Sequence, residues 1–437
     1  MTACETYDVI VVGGGSSGVA AAVASARAGA NTLLIEQNGY LGGTATASLV
    51  TPMMPNQSKG VNLTEGLYET VLLDLAQRWG GAQRFSDNNP GWVNPELLKA
   101  YLDELCTTAG VTVRYDMTLI GVEQHQETIS ALNCILHGQT VRYQAKRFID
   151  ASGNATLSYL ANVPMLDDEG HQALSLRFIM GGVNLEQLAD WIRQWDPDNK
   201  NSAIYRHPNG HYMLSTAHTL DDDSWLLRPV FKEGLSEGLI TEAEAAYFQI
   251  FTVPGMPGCV SFNCPRIAAT TPLDPLDPAD VAYAYQTGRQ QIQRLVRFCI
   301  AKIGGFEAAF LAQMAPQLGV RESRRIRGQY IVSDEDILGC RKFGSQAVAK
   351  CAYPIDIHKA SPKADKGGLQ KLKDGDYYEI PLQALMPEGV GNLLVVGRCI
   401  SATFLAQSSF RIQAVCWRMG ECAGQYSAQQ VQHAQQV

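Results

Sequence analysis

The sequence has no apolar stretch able to cross a bilayer. Its longest apolar runs, such as 9–12 and 393–396, fall far short of the ~20 residues a spanning helix needs. Positive charge is not in excess either. Lys and Arg number 35 against 43 Asp and Glu, a net charge of −8, which argues against a general nucleic-acid binder and against a polybasic membrane anchor. The 11 cysteines contain no C-x-x-C pair, so a redox-active dithiol of the disulfide-reductase kind is not expected. Their odd, scattered arrangement fits reduced thiols and a cytoplasmic location better than a disulfide framework. Cys259 and Cys264 lack the partners of a zinc site, and no metal is expected. The opening MTACETYD has no basic segment and leads into a glycine turn, so no secretory leader is expected. No internal repeat is present. What remains is a composition of 46% hydrophobic and 18% charged residues over 437 positions, typical of a globular enzyme with two domains.

The most informative stretch lies at 7–46. An apolar run (9–12) leads into Gly13, Gly15 and Gly18, spaced G-x-G-x-x-G. A helix of small residues follows, then a second apolar run (32–35) that ends on Glu36. Strand, glycine turn, helix and a terminal acidic residue together form the context a dinucleotide site requires. Gly13 permits the tight turn, Gly15 lets the backbone approach a pyrophosphate, and Gly18 lets helix and strand pack closely. The helix N-terminus faces the anion. Glu36 is placed to accept hydrogen bonds from an adenosine ribose, and its charge disfavours a 2′-phosphate.

Further along, helical periodicity covers 64–79. Asn94 is expected to cap a helix opening at Pro95, and 111–115 reads as a strand. Three antiparallel strands (118–124, 129–136, 140–145) precede a separate parallel strand at 147–151, which runs into Ser152 and Gly153. The segment 281–303 predicts a long amphipathic helix. A buried strand at 392–396 precedes a turn at Gly397 and Arg398, and a last helix is expected from about 409 to 430. No second G-x-G-x-x-G follows residue 50, so a built-in NAD(P)H domain is not expected.

With these elements placed, the chain resembles the FAD-dependent oxidoreductases of the glutathione-reductase-like fold, and more narrowly a bacterial subfamily of dehydrogenases. The resemblance rests on DVIVVGGGSSGVAAAVASARAGANTLLIEQNGYLGG (8–43), FIDASGNATL (148–157), LGVRESRRIRGQYIVSDEDIL (318–338), AYPIDIH (352–358) and the stretch from IPLQALMPEG to GECAG (380–424). It implies an α/β fold: a Rossmann-like FAD-binding domain, with a parallel sheet plus a three-stranded β-meander, carrying an inserted α+β substrate domain. The expected boundaries are 1–165 and 380–437 for the first and 166–379 for the second. One FAD is implied. Gly13, Gly15, Ser16, Ser17 and Gly18 would hold the pyrophosphate, Glu36 and Gln37 the ribose end, and Gly42, Gly43 and Thr44 the phosphates and ribityl chain. Thr118 and Leu119 would clamp adenine, and Ala151, Ser152 and Gly153 would line the entry. Gly397 and Arg398 would meet the ribityl chain, and Arg411, Ile412 and Gln413 the flavin. Amides at a helix start suit the pyrimidine edge, where reduced flavin is anionic. Where the family often carries a histidine after GRCISAT, this chain has Phe404. No histidine precedes His125, so a histidyl link after the second strand has no counterpart and non-covalent FAD is expected.

Hydride transfer asks the protein for placement and a base. Among eight histidines, His358 is the leading candidate. In a strand, Asp356 and His358 share a face, and the carboxylate could orient the imidazole; the same pattern also suits a packed or solvated strand face. His171, His207, His211 and His218 read as structural. Arg321, Arg324, Arg325 and Arg327 form the densest basic group. It reads either as a clamp for a substrate carboxylate or phosphate, with Arg321 foremost, or as partners for Glu322, Asp334, Glu335 and Asp336. Cys399 reads as packing. The expected activity is hydride transfer between a small organic molecule and FAD, with electrons passed to a separate acceptor. The alternatives are a flavin monooxygenase, an electron-transfer subunit and a non-catalytic FAD-binding protein. A homodimer is the default assembly.

Overall fold

The computed structural model describes residues 4–83, 91–167, 171–207, 210–220, 223–358 and 368–436. Parts of the loops at 80–91 and 365–377 lie outside them. Strand β1 (Cys4–Val12), helix α1 (Ser16–Arg27) and strand β2 (Thr32–Ile35) reproduce the expected opening unit. The sheet order runs Thr112–Arg114, β2, β1, Gln139–Asp150, Thr128–Leu136, Thr118–His125, with Leu393–Val395 also pairing with Gln139–Asp150. One correction follows. The strands expected at 140–145 and 147–151 are a single 12-residue strand, because β1 pairs with it continuously from Cys4 opposite Arg142 to Val12 opposite Asp150. Its first half continues into the antiparallel meander and its last residues pair in parallel with Leu393–Val395. The expected combination of a parallel sheet and a three-stranded meander is present.

Register decides where the motif residues go. Val12 lies beside Ile35 and beside Asp150, and Asp150 lies beside Val395. Five parallel strands, Thr112–Arg114 included, therefore end at one edge, and just beyond four of them lie Gly13, Glu36, Ala151 and, after Val396, Gly397. This carboxyl edge is where open α/β sheets bind ligands.

Helix α1 is built from small residues, with Ala20, Ala21, Ala22 and Val23 fully buried. Small side chains let another backbone come close, and the final helix (Gln413–Gln436) does so. A Cβ on Gly420 would lie 2.0 Å from the Ser17 carbonyl oxygen, and one on Gly424 would lie 2.1 Å from that of Ala21. Only glycine fits at either position. The last helix differs from expectation. It is two helices, Phe404–Phe410 and Gln413–Gln436, broken at Arg411 and Ile412. No Pro or Gly marks the break. It coincides with side-chain anchors described below, so tertiary contacts override a continuous helical pattern.

The helix Pro95–Ala109 starts as expected, with the Asn94 side chain accepting from the amides of Glu96 and Leu97. The long helix Pro278–Lys302 begins earlier than expected, because Asp277 caps it and Pro278 occupies its first position. It packs on a second sheet with the order Ser202–Arg206, Tyr212–Thr219, Tyr247–Thr252, Val260–Phe262, Phe178–Gly181, Phe310–Met314. Phe178 stacks on Phe262 at 4.1 Å within that core. Val332, Ile337, Val348, Ile355 and Ile380 pack instead with α1 and the final helix in the first core. No helix among the described residues is long and apolar enough to cross a membrane.

Candidate functional site

The glycine turn leaves helix α1 without a side-chain cap. Gly15 occupies the N-cap, and no side chain bonds the first amides. An uncapped N-terminus presents N–H donors and positive potential to an anion. The turn is as tight as the motif predicts. Gly13 has φ +100°, and a Cβ there would meet the Ala151 oxygen at 2.5 Å. A Cβ on Gly18 would overlap the Gly13 oxygen at 1.7 Å. The loop at Gly42 and Gly43 lies against the turn: the Gly42 amide donates to the Gly14 oxygen at 2.9 Å, and a Cβ on Gly15 would be 3.7 Å from the Gly43 Cα. Thr44 follows, its carbonyl accepting from the Val50 amide at 3.0 Å.

Glu36 is buried at the end of β2. Its Oε2 accepts from the Gly14 amide at 2.6 Å, and its Oε1 accepts from the amide and side chain of Asn38 at 2.8 and 2.6 Å. Burial raises its pKa, and the hydrogen bonds from Asn38 and Gly14 oppose that rise. The Glu36 carbonyl accepts from the Met117 amide at 3.0 Å. That bond sets Thr118 and Leu119 beside the acidic end, and Gln37 is exposed there.

The other wall comes from distant chain. Ser152 donates its amide and hydroxyl to Asp150 at 3.0 and 2.6 Å, fixing the turn into Gly153. Arg398 lies against that turn, donating to the Asn154 side chain at 2.9 Å. Gly397, at φ +86°, faces Ser17, whose hydroxyl would sit 3.0 Å from a Cβ there. The Ser16 hydroxyl donates to Gln413 at 3.2 Å, and the Gln413 side chain donates to the Val50 carbonyl at 3.0 Å. Ile412 is buried beside it. A glycine-lined turn, uncapped helix amides, a buried carboxylate and a facing polar wall fit an extended dinucleotide such as FAD. Cys399 is buried packing, its thiol pushed up to about 12 chiefly by burial.

Two residues before Gln413 the chain enters a second polar group. The Arg411 side chain donates to the Asp356 carbonyl at 3.1 Å and to Gln172 at 3.3 Å. The Asp356 carboxylate lies 3.3 Å from His358 Nε2 and 3.8 Å from Arg411, and it accepts from the Tyr353 hydroxyl at 3.4 Å. The strand Ile355–Ile357 thus presents Asp356 and His358 side by side, as the two-residue spacing predicted. Burial alone would raise the Asp356 pKa, but the His358 hydrogen bond and the nearby arginines hold it well below the ordinary value. Burial, then Arg321, pushes His358 well below its ordinary value, so the imidazole is neutral at neutral pH.

Of the arginines read as a clamp, Arg321, Arg324 and Arg325 do not converge. Residues 321–325 form neither helix nor strand, so no regular spacing brings their side chains to one face. Arg321 turns inward and donates to the Ala173 carbonyl. Arg324 lies over the Tyr159 ring at 3.9 Å, and Arg325 donates to the Ala402 carbonyl at 3.2 Å. Glu322 lies 3.5 Å from His171 and raises its pKa. His218 is a core residue stacked on Phe231 at 4.0 Å. Sequence reasoning missed Arg177, Arg266, Gln172 and Tyr247, which stand around Arg321. Arg177 donates to Asn263, Arg266 lies 3.4 Å from the Tyr247 ring centre, and Gln172 receives Arg411. They are isolated in sequence and carry no motif that could have found them.

Comparison with known proteins follows the same lines. The chain matches the family described as FAD dependent oxidoreductase over residues 8–437. Among solved structures it is similar to a geranylgeranyl bacteriochlorophyll reductase-like protein from Thermoplasma acidophilum, at 16% identity over 99% of this chain and 80% of that one, TM-score 0.49. It is also similar to a flavoprotein/dehydrogenase from Cytophaga hutchinsonii, at 12% identity over 98% and 79% of the two chains, TM-score 0.47. A third is a myxobacterial chondrochloren halogenase, at 13% identity over 98% and 78%, TM-score 0.47.

Proposed function

Because the chain belongs to the FAD dependent oxidoreductase family, with FAD as its cofactor, we propose that it oxidises or reduces a small organic molecule by hydride transfer, beside the pair formed by His358 and Asp356. The observation that carries this reading is a chain of contacts. Ser16 of the glycine turn bonds Gln413, and Arg411, two residues earlier, bonds Asp356. The nucleotide cradle and a buried imidazole–carboxylate pair thus lie on one continuous wall.

In this reading Gly13, Gly15, Ser16, Ser17 and Gly18 receive the pyrophosphate, and Glu36 and Gln37 the ribose, with Thr118 and Leu119 at the adenine. Gly42, Gly43, Thr44, Ala151, Ser152, Gly153, Gly397 and Arg398 line the middle, and Arg411, Ile412 and Gln413 the flavin end. Bound FAD supplies a two-electron acceptor or donor for the hydride. The protein supplies the proton path. With Asp356 charged, the favoured tautomer of His358 carries its proton on Nε2 and donates it to the carboxylate, leaving Nδ1 to accept a proton from substrate. Arg321 fixes the substrate near that nitrogen. Segments 1–165 and 380–437 then serve the cofactor and 166–379 the substrate, with 332–358 packed on the cofactor side yet supplying the catalytic pair.

The test is anaerobic. Purified protein is mixed with pools of small metabolites while the flavin absorbance is followed, and with NADPH under oxygen in parallel. The expected result is bleaching by a pool, without NADPH-dependent oxygen uptake, and strong loss of the bleaching rate in H358Q at unchanged FAD content. NADPH-dependent oxygen uptake in place of bleaching would make the enzyme a monooxygenase. Acid treatment is expected to release all the yellow colour, since the cofactor is read as non-covalent.

A further inference from the structure

Four arginines from distant parts of the chain, Arg177, Arg266, Arg321 and Arg411, meet around Asp356 and His358. A short segment organises three of them. Gln172 accepts from Arg411, Ala173 and Ser175 accept from Arg321, and Ser175 pairs across two strands with Arg266. Arg177 completes the group beside Arg321, bonded to Asn263 and to the Leu49 carbonyl. Leu49 adjoins Val50, the residue bonded by Gln413, so the cluster adjoins the same wall as the cofactor cradle.

The charges do not balance. Asp356 is the carboxylate in ion-pair contact with this group, reached by Arg411 at 3.8 Å and shared with His358. Arg177, Arg266 and Arg321 have no carboxylate partner among the described residues. Their contacts are carbonyls, an amide, a hydroxyl and an aromatic face. Four buried donors also lack any partner: the Nε atoms of Arg177, Arg266 and Arg411, and Nε2 of Gln172. Uncompensated buried cations are costly unless an anion joins them. Burial pushes the Arg177 pKa down to about 10, and burial with the neighbouring guanidinium groups lowers that of Arg321. A guanidinium at neutral pH keeps its charge even so, so the pocket carries a standing positive potential. A monoanion would leave two of the three unpaired cations uncompensated; a dianion leaves one.

We infer that this pocket is the substrate site and that the substrate is a small organic acid with two anionic oxyacid charges, gripped by Arg177, Arg266 and Arg321. This rests on the reading of the pocket as the site of hydride transfer. The shared chemistry is a dicarboxylate or a phosphate monoester, since both suit guanidinium forks.

The experiment titrates the FAD-loaded protein with succinate, inorganic phosphate, acetate and uncharged succinamide, by calorimetry and by flavin difference absorbance. Saturable binding of succinate or phosphate is expected, at least tenfold tighter than acetate, with none for succinamide, and weakening as sodium chloride rises. The tighter of the two dianions tells a dicarboxylate site from a phosphate site. R266Q and R321Q should each weaken it at least tenfold at normal FAD content, and R324Q should leave it unchanged. Should either inward variant lose FAD, the salt dependence and charge selectivity of the unmodified protein still decide the matter. Absence of saturable dianion binding, or equal binding of succinamide, would overturn the inference. The two readings fail separately. Dianion binding with no metabolite able to bleach the flavin counts against hydride transfer alone, and bleaching by neutral compounds without dianion binding counts against the anion site alone.

Discussion

Replacing Gly420 with alanine tests the claim that the cofactor cradle depends on a backbone-to-backbone helix contact. A Cβ at 420 would lie 2.0 Å from the Ser17 carbonyl oxygen and 2.8 Å from its carbon. An ordinary C···O approach is roughly 3.3 Å, so the helices must separate by roughly 1.3 Å. No side chain can move aside, because both neighbours are main chain, and Ser17→Gly would not relieve the overlap. Overpacking of this kind costs about 1–3 kcal/mol, and the better helix propensity of alanine returns up to about 1 kcal/mol. A net cost of about 2 kcal/mol, spread over a chain of 437 residues at ~2.1 cal/mol/K per residue, lowers Tm by only about 2 °C. Cofactor retention is the sharper readout. The displaced atoms belong to Ser17, which adjoins Gly18 and faces Gly397. If most of the strain is relieved by releasing the cofactor, about 2 kcal/mol amounts to roughly thirtyfold weaker FAD binding. The assay is the flavin-to-protein absorbance ratio after gel filtration, with a fluorescence titration of FAD into the stripped protein. Gly391→Ala is the control, since a Cβ there would lie 3.9 Å from the Glu127 oxygen, an ordinary contact. A G420A protein that binds FAD within threefold of the parent would refute the reasoning.

Two further outcomes follow from buried groups. His218 has both ring nitrogens buried without partners, and burial, with Arg228, lowers its pKa to about 4. The folded state therefore binds fewer protons than the unfolded one. Stability from this group is full above the unfolded pKa of ~6.5 and is lost as pH falls toward 4, about 2 kcal/mol by pH 5. His218→Phe, which keeps the stack on Phe231, should narrow the gap between urea midpoints at pH 7.5 and pH 5; parallel losses in both proteins would sink the idea. Asp150 is buried and accepts four hydrogen bonds, from the amides and hydroxyls of Ser152 and Ser158. In Asp150→Asn one backbone amide must face an NH₂ group, a loss of about 2 kcal/mol in chemical denaturation, together with weaker FAD retention because the turn to Gly153 loosens. Unchanged FAD affinity would show that this turn is not part of the cradle.

Local chemistry was legible in the sequence, and chemistry assembled by topology was not. Gly13, Gly15, Gly18 and Glu36 could be read because turn, helix and carboxylate sit within 24 residues and impose their own spacing. The Asn94 cap and the Asp356–His358 pair were readable for the same reason, each being a contact over two or three positions. The arginines show the opposite case. Three that are dense in sequence, Arg321, Arg324 and Arg325, point different ways, because that segment is irregular. Arg177 and Arg266, alone in their surroundings, meet Arg321 only because Ser175 pairs with Arg266 and Asn263 receives Arg177. The break at Arg411 left no local mark, since it is held by Asp356, Gln172 and Val50 from elsewhere in the chain.

The contact between α1 and the final helix also sets a timetable for synthesis. Helix α1 leaves the ribosome early, with a face of alanines meant for Gly420 and Gly424. At about 5–20 residues per second those partners follow roughly 20–80 s later. During that interval the glycine turn exists without Gln413 or Gly397, and the alanine face stays exposed. Cofactor loading must therefore be a late event, after the last helix has emerged. A truncation that stops translation before residue 413 should yield a chain that binds chaperones rather than FAD.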